Sequence, residues 1–430
     1  MTRYQWTVLL AAWLGWGFDI FDSLLFNYVA PNAVPALLGL TRGTPEAAAA
    51  TLQWTGILTS VLLVGWAIGG VIFGRVTDRI GRSRTLLLTM TLYALGTAAC
   101  AFAPNIWLLL VFRIIAALGI GGEWAAGAAM VAEVVPEKWR VEAGALLYTS
   151  ASAGLFLATI ITYQIQGVYF RSTPETAWRY VFLFGLLPAA VAMAVRMFIR
   201  EPERWERVAG AASPTVADLF TPEYRRTTLT AMGLALVALV AWWSCNAFIP
   251  VVASGLAARA AAGLPPAEAT TLIETWKAQA TNAFSLGGLI GTLLTIPAAK
   301  YLGRRVMYAI YFLGSSAALL AAFGLPLEPH TRLYMYFPIG LTVFGVFGSF
   351  TYYLPELYPT RLRGTGPGFT YNIGRLVAAL GAFLVGAIAS RGSAALDGAI
   401  TTLIFVGFVP LAGLAILPWA IETRGRPLPD

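Results

Sequence analysis

Two aspartates stand three residues apart in the first apolar stretch of the sequence, GWGFDIFDSLLFNYVAP. In a helix, Asp19 and Asp22 would share one face. A charged residue inside a membrane costs about 2.5–3.5 kcal/mol on insertion scales, so such carboxylates usually face a cavity and often relay protons. Burial also disfavours the charged form of a carboxyl group, which suits proton exchange. We therefore predict that this pair binds and releases a proton, with a structural hydrogen-bonding pair as the alternative.

Three more charged residues are predicted within apolar stretches. Arg113 should lie at a depth similar to that of Asp22, and a charge pair between them would lower the cost of burying both. Substrate or a proton could compete for that pair, so Arg113 is also a predicted substrate-binding residue. Glu123 is a second candidate proton carrier, or equally a packing acid paired with a loop arginine. Arg375, in GFTYNIGR, has a planar guanidinium that suits bidentate binding of a carboxylate. A structural salt bridge from Arg375 to Glu123 or Glu356 is the alternative.

Aromatic and amide side chains recur on the stretches expected to line a cavity. Each of them alone is more often a packing or interfacial residue. Together they would suit a medium-sized, partly apolar acid better than a hydroxyl-rich sugar. The predicted substrate-contacting residues of this kind are Tyr371, Asn372, Trp243, Asn246, Asn282, Phe347 and Tyr352, with Trp242 and Phe344 beside them.

The composition indicates which elements must hold these residues. Of the 430 residues, 58% are hydrophobic and 12% are charged, whereas soluble domains carry roughly 25% charged residues. Apolar runs long enough to cross a ~30 Å hydrocarbon layer as helices recur along the whole chain. We predict an all-α membrane protein with twelve transmembrane helices, at about residues 6–30, 52–74, 85–103, 106–131, 143–164, 178–199, 227–250, 276–299, 306–325, 333–354, 367–389 and 398–420.

The net charge of +8 follows the predicted topology. With the N-terminus inside, twenty of the 29 lysines and arginines fall in inner loops and seven in or beside outer loops, with Lys277 at the edge of the eighth helix. This asymmetry is the positive-inside pattern. It predicts a multi-pass protein of a bacterial cytoplasmic (inner) membrane with both termini in the cytoplasm, a lipid bilayer around it and no nucleic-acid partner.

The chain is predicted to consist of two six-helix halves. A polar linker at 200–226 separates an N-terminal bundle, 1–199, from a C-terminal bundle, 227–430. The pattern Glu-x-x-Pro-x-x-x-Arg at 133–140 recurs at 356–363, an offset of 223 residues, and the loop DRIGRSR at 78–84 aligns with KYLGRR at an offset of 222. Such a parallel repeat implies a pseudo-two-fold axis along the membrane normal and a central site between the halves.

Several motifs resemble those of the major facilitator superfamily. GRVTDRIGRSR (74–84) is similar to its signature loop, and RIIAALGIGGEWAAG (113–127) to its fourth-helix motif. IREPERW (199–205), ELYPTRLRGTG (356–366) and IETRG (421–425) are similar to segments of its sugar- and organic-acid-type members. FDIFD (18–22) resembles the paired aspartates of proton-coupled aromatic-acid and sialate/monocarboxylate symporters. The resemblance implies the major facilitator fold, proton coupling through the aspartates, and Arg375 as the anchor for a substrate carboxylate.

The loop motifs also predict a conformational gate on the inner side. An aspartate at a helix end can face a helix N-terminus across the interface, and nearby arginines can pair with carboxylates of the other loops. These contacts would latch one conformation and break in the other, unless the arginines only fix topology. The predicted gate residues are Asp78, Arg79, Arg82, Glu133, Arg140, Glu356 and Arg363. Lys300 replaces the aspartate in the second half, so we expect a weaker latch there.

These features predict a transporter rather than an enzyme. The sequence has no GxxxxGK[ST] loop for ATP and no clustered nucleophile and base, and its two cysteines and one histidine predict neither a metal site nor a cofactor. The predicted function is proton-coupled symport of a small organic carboxylate (monocarboxylate or aromatic acid) by a functional monomer. The alternatives left open are a proton-coupled sugar or polyol carrier, a multidrug efflux antiporter and a membrane sensor that does not transport.

Overall fold

The computed structural model describes residues 1–80, 82–196, 215–359, 362, 365–390 and 395–426. These residues form helices and contain no strand, so the predicted all-α fold of twelve segments is confirmed. The segments are α1 (Arg3–Leu38), α2 (Pro45–Ile80), α3 (Arg82–Cys100), α4 (Ile106–Val134), α5 (Arg140–Thr162 and Tyr163–Tyr169), α6 (Pro174–Phe184 and Leu186–Arg196), α7 (Arg225–Asn246 and Ile249–Ala260), α8 (Pro266–Pro297 and Ala298–Leu302), α9 (Arg304–Gly324), α10 (Pro329–Tyr334, Tyr336–Ile339, Gly340–Phe344 and Phe347–Glu356), α11 (Thr365–Ala389) and α12 (Ala395–Val406 and Val409–Ile416).

The segments have the length and apolar character that a lipid bilayer requires of membrane-spanning helices. Within the described part of the chain, nine of them are long and apolar enough to cross a membrane. A helix satisfies its own backbone hydrogen bonds, which lipid cannot do. The helices deviate locally where proline or π-helical turns occur: α7 is interrupted just before Pro250, and Tyr163–Tyr169 in α5 and Gly340–Phe344 in α10 are π-helical. Such π segments are often found at functional positions.

Contacts between helices define two ends of the bundle. Glu142, near the start of α5, is ion-paired with Lys300, at the end of α8. We call the end of the bundle that holds these two residues the near end, which is the predicted cytoplasmic side. The opposite end, where α1 finishes at Leu38 and α8 begins at Pro266, is the far end. Helices α1 to α6 are called the N half and α7 to α12 the C half.

Helix α11 of the C half packs along α2 of the N half. The Ser60 hydroxyl of α2 donates to the carbonyl of Ala379 in α11, 2.7 Å away. Gly56 and Gly386 face each other closer to the far end, and Gly70 faces the Asn372 amide closer to the near end. The two halves therefore meet along most of the length of these helices, which places α11 at the interface where a central site is expected.

Glycines spaced four residues apart, such as Gly287 and Gly291, bring neighbouring helices into close contact. A Cβ atom added at Gly69 of α2 would collide with the backbone carbonyl of Leu118 in α4. Gly287 and Gly291 of α8 stand in the same way against α10, at the carbonyls of Phe337 and Leu341. These glycines are packing positions, and the backbone on the other side leaves no room for a side chain.

We expect the Gly69→Ala variant to lose roughly 1–3 kcal/mol of folding free energy, because overpacking forces two backbones apart. The measurement is the thermal unfolding midpoint in detergent. The matched control is Gly368→Ala in α11, where an added Cβ meets nothing within 4 Å. Equal midpoints for the two variants would contradict the assigned α2–α4 contact.

The near end of the C half is held together by carboxylates. Glu356 accepts from the Arg304 guanidinium at 2.8 Å and from the Thr423 hydroxyl at 2.6 Å. Glu422 accepts from the backbone N–H groups of Arg304 and Arg305 at the start of α9. Burial raises the pKa of Glu422, but these backbone hydrogen bonds outweigh it and the pKa is lowered. Glu356, a predicted gate residue, thus binds within one half in this structure.

Candidate functional site

Arg375 lies at the centre of the interface between the halves. Its side chain is 2% exposed, on the face of α11 that packs against α2. The guanidinium carbon stands 4.1 Å from the ring centroid of Trp66 in α2 and 4.7 Å from that of Tyr371. Nη1 donates to the Asn372 side-chain oxygen at 2.6 Å. The cation is therefore contacted by an aromatic face from each half, an arrangement that favours a desolvated arginine.

Aromatic rings from both halves surround this arginine. Tyr148 of α5 stacks with Phe347 of α10, with 5.9 Å between the ring centroids, and is hydrogen-bonded to Tyr371. Trp66 meets Trp243 of α7 edge-to-face at 6.0 Å. We call this group the central aromatic cluster; its members are Trp16, Trp66, Tyr148, Trp242, Trp243, Phe344, Phe347 and Tyr371, all of them buried. The cluster lies between the halves, because its members come from α1, α2 and α5 of the N half and from α7, α10 and α11 of the C half.

Three hydrogen-bond donors in and beside the cluster have no acceptor among the described atoms. They are the indole nitrogens of Trp66 and Trp242 and the Asn246 amide nitrogen. Trp242 and Asn246 are four residues apart on α7, so they share a face. A buried donor without a partner costs about 1–3 kcal/mol. A bound molecule with several acceptor oxygens would satisfy such donors.

Asp22 is enclosed within the N half. Its Oδ2 accepts from the Thr97 hydroxyl of α3 at 2.6 Å, and its Oδ1 is 3.9 Å from Arg113 Nη1 of α4. Arg113 also donates to the backbone carbonyls of Asp22 and Ser23. All of these residues are at most 2% exposed. The structure thus contains the contact between Asp22 and Arg113 that their similar depth predicts.

Asp19 has different surroundings from Asp22, although both lie on α1. Its side chain is fully buried, and it interacts electrostatically with Arg375 of the C half. Trp16, three residues earlier on the same face, belongs to the central aromatic cluster. The two aspartates therefore have different surroundings: Asp19 interacts electrostatically with Arg375 of the C half, and Asp22 contacts Arg113 inside the N half.

The family is decided by comparison with known sequences. The model of the Major Facilitator Superfamily matches residues 12–382. The chain belongs to the Major Facilitator Superfamily. As a member of this superfamily it is a multi-pass membrane transport protein and not an enzyme, as the sequence predicts.

Individual relatives of this superfamily member cover nearly its whole length. It is 29% identical over 418 residues to a probable 4-methylmuconolactone transporter of Cupriavidus pinatubonensis, covering 96% of this chain and 90% of the relative. It is 27% identical to the gentisate transporter of Corynebacterium glutamicum, covering 88% and 80%. A structure of the xylose transporter XylE from E. coli, partially occluded and inward-open, superimposes with a TM-score of 0.75 at 17% identity, covering 99% of this chain and 100% of XylE. The structural similarity to XylE shows that the two proteins share a fold.

Only some of the predicted site residues lie close together in the structure of this superfamily member. Arg375, Tyr371, Asn372, Trp243 and Phe347 come together in or beside the central aromatic cluster. Their roles in binding stay predictions. At the predicted gate and proton-carrier residues Asp78, Arg79, Arg82, Glu123, Glu133 and Arg140 the structure describes the helix and not the side chain, and Arg363 lies outside the described residues.

Three other predicted substrate contacts lie on α7, α8 and α10. The buried Asn246 lies on α7, and the half-buried Asn282 lies on α8 with its side-chain oxygen unpartnered among the described atoms. Tyr352 lies towards the near end of the C half, where its hydroxyl is 3.5 Å from the Thr295 carbonyl and Arg304 covers its ring at 5.7 Å. The ring and hydroxyl of Tyr352 therefore interact with the C half, and Tyr352 is not part of the central aromatic cluster.

Sequence reasoning missed three cluster members, Trp16, Trp66 and Tyr148. The position of Trp16, one helical turn before Asp19, is a usable signal for a shared face. Trp66 and Tyr148 carry no such signal, because they are recognisable only through partners that come from the other half of the chain.

The prediction that Lys277 stands at a helix edge is wrong. Helix α8 begins ten residues earlier than predicted, at Pro266, and Lys277 is 2% exposed within it. Its Nζ lies 2.5 Å from Glu274 Oε2, one turn away on the same helix, and Glu274 is fully buried. The lysine is buried because it has this partner, since an isolated charge in a membrane interior is costly.

Proposed function

We propose that this superfamily member carries an organic carboxylate, such as an aromatic acid, together with a proton into the cell by alternating access. The observation that supports the proposal is the buried Arg375 guanidinium between the rings of Trp66 and Tyr371, at the meeting point of the halves. We further propose that the near end faces the cytoplasm of a bacterial inner membrane, on the evidence of the loop arginines and lysines.

The surroundings of Arg375 suit a planar acid. A carboxylate could replace Asn372 as the acceptor and take two parallel hydrogen bonds from the guanidinium. Rings such as Tyr148, Phe347 and Trp243 would pack against the apolar part of the substrate. The names of the two relatives, a methylmuconolactone and a gentisate transporter, support small ring-derived or aromatic substrates.

Charge balance supports the coupling to a proton. In the free protein, the Arg375 cation is balanced in part by Asp19 across the interface. A bound carboxylate would place a second negative charge beside the same arginine, in surroundings where like charges repel strongly. Protonation of Asp19 removes that repulsion. Binding of the anion and binding of the proton therefore favour each other, which is the requirement for symport.

Tryptophan fluorescence tests the carboxylate assignment. Trp16, Trp66, Trp242 and Trp243 belong to the central aromatic cluster, so a ligand bound there should change the emission of the purified protein. We expect saturable quenching by benzoate or nicotinate, and at least about tenfold weaker binding of the matched neutral amides, benzamide and nicotinamide, which cannot form a charge-assisted pair. Equal affinity for acid and amide, or saturable binding of xylose alone, would overturn the assignment.

A further inference from the structure

A second buried polar group joins the halves at the far end. It consists of Glu274 and Lys277 on α8, Asn32 and the Tyr28 carbonyl on α1, and Gln166 in the π-helical part of α5. We call it the far-end polar cluster. The central site does not use it, and the four residues that contribute side chains to it are each at most 2% exposed. A buried charged group this far from the site needs its own explanation.

The two hydrogen bonds that join the halves in the described part of this cluster each connect one member of the ion pair to a neutral group. Lys277 Nζ donates to the Tyr28 carbonyl at 3.0 Å, and the Asn32 amide donates to Glu274 Oε1 at 3.0 Å. Asn32 also donates to Gln166 within the N half. The two charges, by contrast, sit one turn apart on a single helix. Separation of α8 from α1 would therefore break neutral contacts and leave the ion pair intact.

This division of contacts lowers the cost of opening. A buried ion pair that loses one partner is destabilised by several kcal/mol, because one charge is left uncompensated. When both the donor and the acceptor of a hydrogen bond become exposed to water, each forms a hydrogen bond to water instead, and the net cost in free energy is small. Arg42, on the loop after α1, adds a longer-range attraction to Glu274 across the same interface. The cluster can thus hold the far end closed and still open reversibly.

The near end is held differently. Lys300 of the C half pairs directly with Glu142 of the N half, and their side chains are 40% and 28% exposed. Opening of this end separates the two charges of the pair. Because the pair is partly solvated, its strength should be modest and should fall as salt rises.

We propose that Glu274 and Lys277 form the far-end gate of the transport cycle, as an ion pair that stays intact on α8 while its hydrogen bonds to α1 break and re-form. The side chains act as positioning residues that set the balance between the closed and open far end. The inference rests on the alternating access proposed above, and it does not depend on the carboxylate or proton assignments.

Spin-label distances test this gate in the full-length protein without substrate. Cys100 and Cys245, both buried, are replaced by alanine, and labels are placed at the exposed far-end positions Ser172 and Ala267, one in each half. We expect Asn32→Ala to raise the ratio of open to closed far ends about tenfold, the effect of losing one hydrogen bond to a charged group. A distance distribution like that of the parent protein would overturn the proposal.

The matched control is Asn27→Ala on the same helix. Asn27 accepts from Thr59 at 3.2 Å inside the N half, so its loss should leave the far-end distance unchanged. Should Asn32→Ala fail to fold, Thr281→Val removes the bond between Thr159 and Thr281 that also joins α5 to α8, at 3.1 Å, and should open the far end about fivefold. Equal opening by Asn27→Ala would contradict the gate, because a general loosening would then explain the result.

Salt provides an independent comparison of the two ends. A second label pair at the exposed near-end positions Lys138 and Leu302 reports on the contact between Lys300 and Glu142. A rise from roughly 0.05 to 0.5 M KCl should open the near end and change the far end much less, because there it screens the longer-range attraction between Arg42 and Glu274 and leaves the buried ion pair intact. A far end as salt-dependent as the near end would contradict an ion pair that stays intact. Because these distances are measured without ligand, failure of the gate is distinguishable from failure of the fluorescence titration.

Discussion

Replacing Arg375 with alanine should abolish binding of the carboxylate, with a loss of affinity of at least about 100-fold. Two parallel charge-assisted hydrogen bonds in a buried site would be lost together, and each is worth about 1.5–3 kcal/mol. Arg375→Lys should recover only part of the affinity, because an ammonium lacks the planar fork and its bidentate geometry. The measurement is the acid titration followed by tryptophan fluorescence, supported by uptake of the same labelled acid.

The matched control for this prediction is Arg259→Ala in α7. Arg259 is paired with Asp397 at 2.9 Å, but both side chains are more than half exposed, so the pair contributes little to stability or function. That variant should bind and transport like the parent protein. Unchanged acid affinity in Arg375→Ala would show that the buried arginine has a structural role.

Replacing Asp19 with asparagine should uncouple the carboxylate from the proton. In the parent protein we expect acid binding to tighten as pH falls, because protonation of Asp19 removes its competition for Arg375. The ligand stays ionised down to about pH 5, since carboxylic acids titrate near pH 4. In Asp19→Asn the competition is absent at every pH. Its affinity should therefore be high and independent of pH, with exchange retained and accumulation in a pH gradient lost.

Asp22→Asn is the matched comparison, on the same helix and with the same change of charge. Asp22 contacts Arg113 and Thr97 inside the N half. Its loss should leave the pH dependence of acid binding as in the parent protein. A pH-independent affinity in Asp22→Asn and a normal one in Asp19→Asn would reverse the roles of the two aspartates.

Features that depend on a single segment, or on the depth of a residue in the membrane, could be predicted from the sequence. Apolar runs predicted the twelve segments in order because each helix must satisfy its own backbone in lipid. The similar depths of Asp22 and Arg113 predicted their contact, since neighbouring helices bring together residues at one level. Glycines four residues apart on one helix indicate close helix packing for the same local reason.

Features that depend on partners across the interface could not be predicted. The stacking of Arg375 on Trp66 joins residues 309 positions apart, and no periodicity within α2 or α11 indicates it. The ion pair of Glu274 and Lys277 was missed because α8 was predicted to begin at residue 276, which placed the lysine at a helix edge. A helix with two opposite charges one turn apart has a lower mean hydropathy, and the apolar criterion therefore shortened it.

Uptake of a labelled aromatic acid into proteoliposomes tests the central claim most directly. The vesicles are loaded at neutral pH and diluted into acidic buffer, with benzoate or gentisate outside and a labelled neutral sugar in parallel. Transient accumulation of the acid above its equilibrium level, abolished by a protonophore and absent in Arg375→Ala, is the predicted result. Accumulation of the sugar without any acid would contradict the claim, and the buried arginine would then be structural.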